Sequence, residues 1–156
     1  MKSIDCIEPT LTEVAFSIAK KAHNGQVDKA GEPYINHPAR LCLSRWCLGD
    51  EDRTVVALLH DVLEDSEITA KELIDNGIPE HLVQSVQCLT MQPNESYEDF
   101  IERCCSDAIA ARVKLADLED NLDITRLNEI NENDVFRLNK YLRARRRIID
   151  FLQSNK

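Results

Sequence analysis

Residues 54–65, TVVALLHDVLED, join a run that is apolar on nearly every side to a cluster of ionisable groups. A helix built on Val55, Val56, Ala57, Leu58 and Leu59 has no polar face, so it belongs at the centre of its fold with other elements packed around it. Asp50 is placed to cap such a helix, which the pattern carries through to Asp65. His60, Asp61, Glu64 and Asp65 then bring charge to the end of the most apolar element. His60 and Glu64 are four apart, as are Asp61 and Asp65, a spacing that sets them on neighbouring strips of one helix surface. Buried carboxylates without partners are expensive, so these groups need a cation or dense hydrogen bonding, and a divalent metal is one answer.

Helical signals surround this element. Thr10 and Glu13 form a capping box, followed by Leu11, Val14, Ala15, Ile18, Ala19 and Ala22 at helical spacing. Gly25, Gly31, Pro33 and Pro38 mark a structured loop, after which a second helix is expected from near Pro38 to about Leu48. Thr69 and Glu72 open a short helix that Gly77 ends, and Pro79 opens another that ends near Leu89. Ser96 and Asp99 cap a helix through Cys105, a long helix covers about Asp107 to Leu127, and a last one about Glu132 to Leu152. With only four Gly and five Pro in 156 residues, a turn-rich all-β fold is disfavoured. The expectation is all-α: one compact multi-helix bundle, residues 1–156 forming a single domain.

Charge and cysteine usage narrow the function. A formal net charge of −9 argues against a nucleic-acid polymer as partner, but not against a small phosphorylated molecule bound through a metal. Arg137, Lys140, Arg143, Arg145, Arg146 and Arg147 cluster near the C-terminus, and the plainer reading of them is a solvated helix face neutralised by acids elsewhere. The six cysteines, Cys6, Cys42, Cys47, Cys88, Cys104 and Cys105, form no CxxC or zinc pattern. The opening segment MKSIDCIEPT does not read as a signal peptide, and no stretch is apolar enough to span a bilayer. A cytoplasmic protein with reduced thiols is expected.

A second charged cluster lies in VKLADLEDNLD, where Asp117, Asp120 and Asn121 follow an apolar approach. His37, in PYINHP, sits at a loop–helix junction stiffened by Pro33 and Pro38, a sound mount for a ligand that its surroundings must hold. Two imidazoles and two carboxylates suit a first-row divalent ion with mixed nitrogen and oxygen ligands, and Mn²⁺ or Fe²⁺ better than a structural zinc. An open coordination position would supply water for attack at phosphorus, with Glu64 and Asp65 placed to orient that water or move its proton.

The order His37 … His60-Asp61 … Asp117 resembles the metal signature of HD-domain phosphohydrolases. More narrowly, AHNGQVDKAGEPYINHP, ALLHDVLEDSEIT and VKLADLEDN are similar to the hydrolase domain of RelA/SpoT-type enzymes and the small stand-alone alarmone hydrolases, a likeness covering about residues 14–150. The resemblance implies manganese-dependent removal of pyrophosphate from the ribose 3′ position of guanosine tetra- or pentaphosphate. It implies His37, His60, Asp61 and Asp117 as metal ligands and Glu64 and Asp65 as the catalytic acidic pair. It also implies Lys29, Asn121 and Tyr141 as substrate contacts. One departure stands out: these hydrolases usually carry arginine where this chain has Asp28, and an acid there is expected to face the nucleotide and repel phosphates. The residues also allow a phosphohydrolase of another nucleotide or phosphoester, or a non-catalytic nucleotide-sensing module, and they leave the oligomeric state open.

Overall fold

The computed structural model describes residues 8–155. Cys6 and most of the opening segment MKSIDCIEPT lie outside the described residues.

The apolar run forms α3 (Glu51–Leu59), with Asp50 accepting from the Arg53 N–H as its cap. Val55 through Leu59 are all buried, and α3 is flanked by α1 (Leu11–Ala22), α2 (Asn36–Cys42), α6 (Glu80–Cys88) and α8 (Ala108–Leu122). This is the central helix that its all-round apolar surface predicts. Between these elements run α4 (Val62–Asp65), α5 (Ala70–Asp75) and α7 (Tyr97–Cys105). The chain closes with α9 (Glu132–Ser154), which packs on α7 and α8. The described residues are helical, with a single isolated bridge pairing Val27 and Pro33 in the loop before α2. Both predicted capping boxes, Thr10–Glu13 and Thr69–Glu72, are formed. No helix among the described residues is long and apolar enough to cross a membrane.

Three helix boundaries differ from the sequence expectation, and each shift bears on the site. The second helix stops at Cys42 rather than Leu48. The chain turns instead through Ser44–Gly49, where Gly49 takes φ +83° and Leu43 and Leu48 stay exposed, so these leucines never had a core face to fill. Trp46 is drawn aside, its indole N–H donating to Glu119 Oε2 at 2.8 Å.

The central helix breaks at His60–Asp61 instead of running on to Asp65. The Ala57 carbonyl, which an unbroken helix would bond to the Asp61 N–H, lies 2.7 Å from His60 Nδ1. Asp61 adopts φ −101°, ψ −3°. The break therefore separates His60 and Asp61 from Glu64, contrary to the continuous helix face that their spacing implied.

The long helix ends at Leu122, not Leu127, because Asp123 caps the 3-10 turn Ile124–Arg126 through the Thr125 N–H. Arg126 folds back to donate to the Asp120 carbonyl at 2.9 Å.

Glu119 ties three segments together, accepting from Trp46, from Arg45 at 2.9 Å and from Arg145 at 2.9 Å. The C-terminal basic cluster is largely neutralised as expected: Arg147 pairs with Glu102, Arg146 with Asp150 and Arg137 with Asp134. Cys47, Cys104 and Cys105 are buried, and the five described cysteines are free thiols.

Candidate metal centre and nucleotide cavity

Three helices aim side chains at one buried point. His37 comes from the first turn of α2, His60 from the end of α3 and Asp117 from the middle of α8. They are 5%, 3% and 7% exposed, and their donor atoms all lie within 4.8 Å of one another. Asp61 borders the same space, with Oδ2 2.8 Å from His60 Nε2 and 4.0 Å from His37 Nε2. The four positions predicted as ligands are thus brought together, with Asp61 at the edge of the tightest group.

The hydrogen bonds fix which ring nitrogen faces the site. His60 Nδ1 can only donate to the Ala57 carbonyl, which leaves Nε2 with its lone pair. That Nε2 is buried and makes no hydrogen bond, despite its closeness to Asp61. His37 Nδ1 lies 2.7 Å from Asp120 Oδ2, and its Nε2 lies 3.2 Å from Asp117 Oδ1. Both imidazoles therefore present Nε2 inward, each oriented by a partner on Nδ1, the arrangement expected of metal-ligating histidines. An orphaned buried nitrogen beside two acids is a poor end state for a protein alone, and a divalent cation satisfies all of them at once. The donor set fits such an ion.

The electrostatics agree. Burial works against a charged His37, but its hydrogen bonds to Asp117 and Asp120 and the charges of Asp117 and Asp61 outweigh it, raising it to about 9. In the absence of a metal, a proton thus takes the cation's place. Asp117 is held well below the usual carboxylate range; burial opposes this, but Lys114, His37 and His60 prevail. Lys114 donates to Asp117 Oδ2 at 2.7 Å while its ammonium lies 5.0 Å from the centre of the Phe100 ring. Asn121 Nδ2 donates to Asp117 Oδ1 at 2.6 Å. The Tyr34 hydroxyl donates to Asp61 Oδ2 and fixes the remaining acid.

Beside this centre opens a cavity of about 270 Å³, with His37 and Tyr34 in its wall. Lys29, Asn121 and Tyr141, the three expected substrate contacts, line it together with Arg126 and Arg137. Glu64 and Asp65 do not line it, and both are exposed. Glu64 Oε2 accepts from the Met91 N–H at 3.1 Å, turned that way by the break before α4. Asp65 is pushed up from its ordinary value by partial burial and by the charge of Asp61.

Sequence reasoning overlooked two contributors. In the sequence Asp120 stands only as a member of a charged cluster, yet it orients His37 and accepts a two-point contact from Arg40 at 2.7 and 2.9 Å. Arg126 carries no sequence signal as a cavity residue, since one of its two acidic partners, Asp28, lies in a loop 98 residues away. Asp28 also departs from expectation. Its Oδ1 accepts from the Ala30 and Glu32 N–H groups at 2.9 and 3.0 Å, and its Oδ2 lies 3.2 Å from Arg126 Nη1. The carboxylate is consumed by its own loop and by an arginine, so it does not stand as a free charge against a ligand.

The sequence pattern of the HD domain matches residues 15–99, more than half of the chain. The chain belongs to the HD-domain family. The matched part of this HD domain includes His37, His60 and Asp61, while Asp117 lies beyond it on α8. The guanosine-3′,5′-bis(diphosphate) 3′-pyrophosphohydrolase of Aquifex aeolicus is 36% identical over 115 residues, covering 70% of this chain and 16% of its own length. The bifunctional (p)ppGpp synthase/hydrolase SpoT of Escherichia coli is 32% identical over 120 residues, covering 69% of this chain and 17% of its own. The HD domain described here therefore spans a small part of these relatives. A solved metazoan ortholog of SpoT, described as hydrolysing ppGpp, superposes with a TM-score of 0.72 over 94% of this chain and 88% of its own, at 24% identity, and so shares the fold.

Proposed function

We propose that this HD domain is a metal-dependent phosphohydrolase that removes pyrophosphate from the 3′ position of guanosine 3′,5′-bis(diphosphate). The observation that carries the reading is the buried, unbonded Nε2 of His60 beside His37 and Asp117, opening onto a cavity lined by Lys29, Asn121 and Tyr141. The names of the Aquifex aeolicus and Escherichia coli relatives support the substrate.

In this reading His37, His60, Asp61 and Asp117 hold a first-row divalent ion, Mn²⁺ in the first instance, since the mixed nitrogen and oxygen donors suit it. When bound, such an ion supplies Lewis acidity towards a phosphoryl group and a water. Lys114 and Asn121 hold Asp117 ionised and immobile, and Tyr34 does the same for Asp61. Asp65, raised by partial burial and by Asp61, is the acid suited to accept a proton from the attacking water, with Glu64 at the same helix. Lys29 supplies positive charge to the leaving phosphates, and Tyr141 an aromatic surface for the base.

The reading takes residues 1–156 as one hydrolase domain, supported by the packing of α9 on α7 and α8. Free thiols at all five described cysteines support a cytoplasmic setting.

The test is release of pyrophosphate from guanosine 3′,5′-bis(diphosphate) by the purified protein with Mn²⁺, compared with other nucleotides and with an Asp61→Ala control. Turnover that needs Mn²⁺ and is lost in the control is expected. No turnover of this nucleotide by protein that binds Mn²⁺ would overturn the substrate assignment.

A further inference from the structure

We propose that Arg126 is a specificity-determining cation of the cavity, that it contacts the phosphate arm of the nucleotide remote from the metal centre, and that Asp28 is its positioning residue. The inference rests on the nucleotide reading above and adds to it the residue that reads the second phosphate group.

Arg126 lies in the 3-10 turn after α8 and reaches across the cavity to the loop before α2. Of its five N–H donors, one on Nη1 meets Asp28 Oδ2, and the two of Nη2 are drawn to Asp120, 2.9 Å from its carbonyl and 3.2 Å from Oδ2. The second Nη1 hydrogen and Nε–H remain without a protein partner. The side chain keeps 30% exposure on the cavity wall.

The charge distribution points the same way. In a chain of net charge −9, the cavity wall carries Lys29, Arg40, Arg126 and Arg137 against Asp28 and Asp123. Arg40 donates from Nε and Nη2 to Asp120, and Arg137 is paired with Asp134. Lys29 makes no ion pair among the described residues, and Arg126, although paired with Asp28 and Asp120, keeps N–H groups without a protein partner with which to meet an anion. A guanidinium held on two sides is already oriented, so little side-chain freedom is lost when phosphate oxygens bind to it.

Asp28 supplies that hold. Its carboxylate is only 11% exposed, with Oδ1 fixed by two backbone N–H groups. Its charge is therefore spent on Arg126 and on the loop that carries Lys29, and the acid presents a cation to the ligand.

The test compares wild-type protein, Arg126→Gln, Arg126→Lys and Asp28→Asn on two probes: guanosine 3′,5′-bis(diphosphate) and guanosine 3′-diphosphate, which lacks the 5′ phosphates. KM and kcat are measured with Mn²⁺, and calorimetric binding of both probes to metal-free protein gives a second readout; thermal melts check folding. The expected result is a tenfold or greater rise in KM of Arg126→Gln for the bis(diphosphate). Its kcat should stay within threefold, and KM for the 3′-diphosphate should change less than twofold. Arg126→Lys and Asp28→Asn should fall between wild type and Arg126→Gln. Unchanged KM in Arg126→Gln, or equal losses on both probes, overturns the inference while leaving the nucleotide reading intact. Wild-type protein that binds Mn²⁺ but neither binds nor hydrolyses either probe overturns the nucleotide reading, and the inference falls with it.

Discussion

Removing the metal should leave a protein whose stability falls as pH rises from 6.5 to 8.5. His37 is raised to about 9 in the metal-free site, above its value near 6.5 in an unfolded chain. A group raised on folding contributes stability that is fully present below its unfolded pKa and is lost as pH climbs through its folded one. At roughly 1.4 kcal/mol per pH unit, the full contribution is about 3 kcal/mol, of which about 2 kcal/mol is lost between pH 6.5 and 8.5. His60 is raised as well, against the pull of burial, by the charges of Asp61 and Asp117, and it adds a slope of the same sign. Keeping the window below pH 8.5 avoids most thiol ionisation, which would destabilise in the same direction because burial pushes Cys42 up to about 11 and Cys104 up to about 12. The assay is urea denaturation in chelator at several pH values, repeated in saturating Mn²⁺ and with His37→Gln. Metal binding needs deprotonated ligands, so the slope should reverse with Mn²⁺, and it should shrink in His37→Gln. Metal-free stability that stays flat or rises over this range, or an undiminished slope in His37→Gln, would refute the reasoning.

Asp120→Ala, measured by Mn²⁺ calorimetry, should weaken metal binding by about 10–100-fold, the usual effect of removing a carboxylate that orients a ligating histidine. Asp65→Asn should lower kcat by about 10²–10⁴ with Mn²⁺ affinity retained, and Glu64→Gln should lower it less, because Glu64 is turned towards Met91; a larger kinetic loss for Glu64→Gln would reverse their roles. Leu59→Ala, at a fully buried position on the central helix, should destabilise the fold by about 2–5 kcal/mol in chemical denaturation.

The helical architecture was legible wherever the signal was local. The two capping boxes, the apolar run of α3 and the Asp107 cap of α8 all depend on residues within a turn or two of one another. The ends of α2 and α8 were not legible, because competing partners intervene: Glu119 draws Trp46 aside, and Asp123 restarts the chain as a 3-10 turn. The break at His60 was hidden for a related reason. The apolar pattern continues through Val62 and Leu63, and only a side chain taking over the Ala57 carbonyl interrupts the ladder. Within the site, residue types and order marked the positions that converge on the centre. Neither Asp120 nor Arg126 could be assigned a role, since each acts on a partner more than 80 residues distant.

The distribution of the central donors over α2, α3 and α8 has a consequence for assembly. His37 and His60 lie in the segment shared with the HD-domain pattern, but Asp117 arrives only with a helix that follows it in the chain. During synthesis the N-terminal helices can form and begin to pack while the centre still lacks Asp117. High-affinity metal capture should therefore be a late event, coincident with the docking of α8 on α3. Metal uptake would then report completed tertiary structure rather than nucleate it, and a fragment ending before α8 should retain helicity without that affinity.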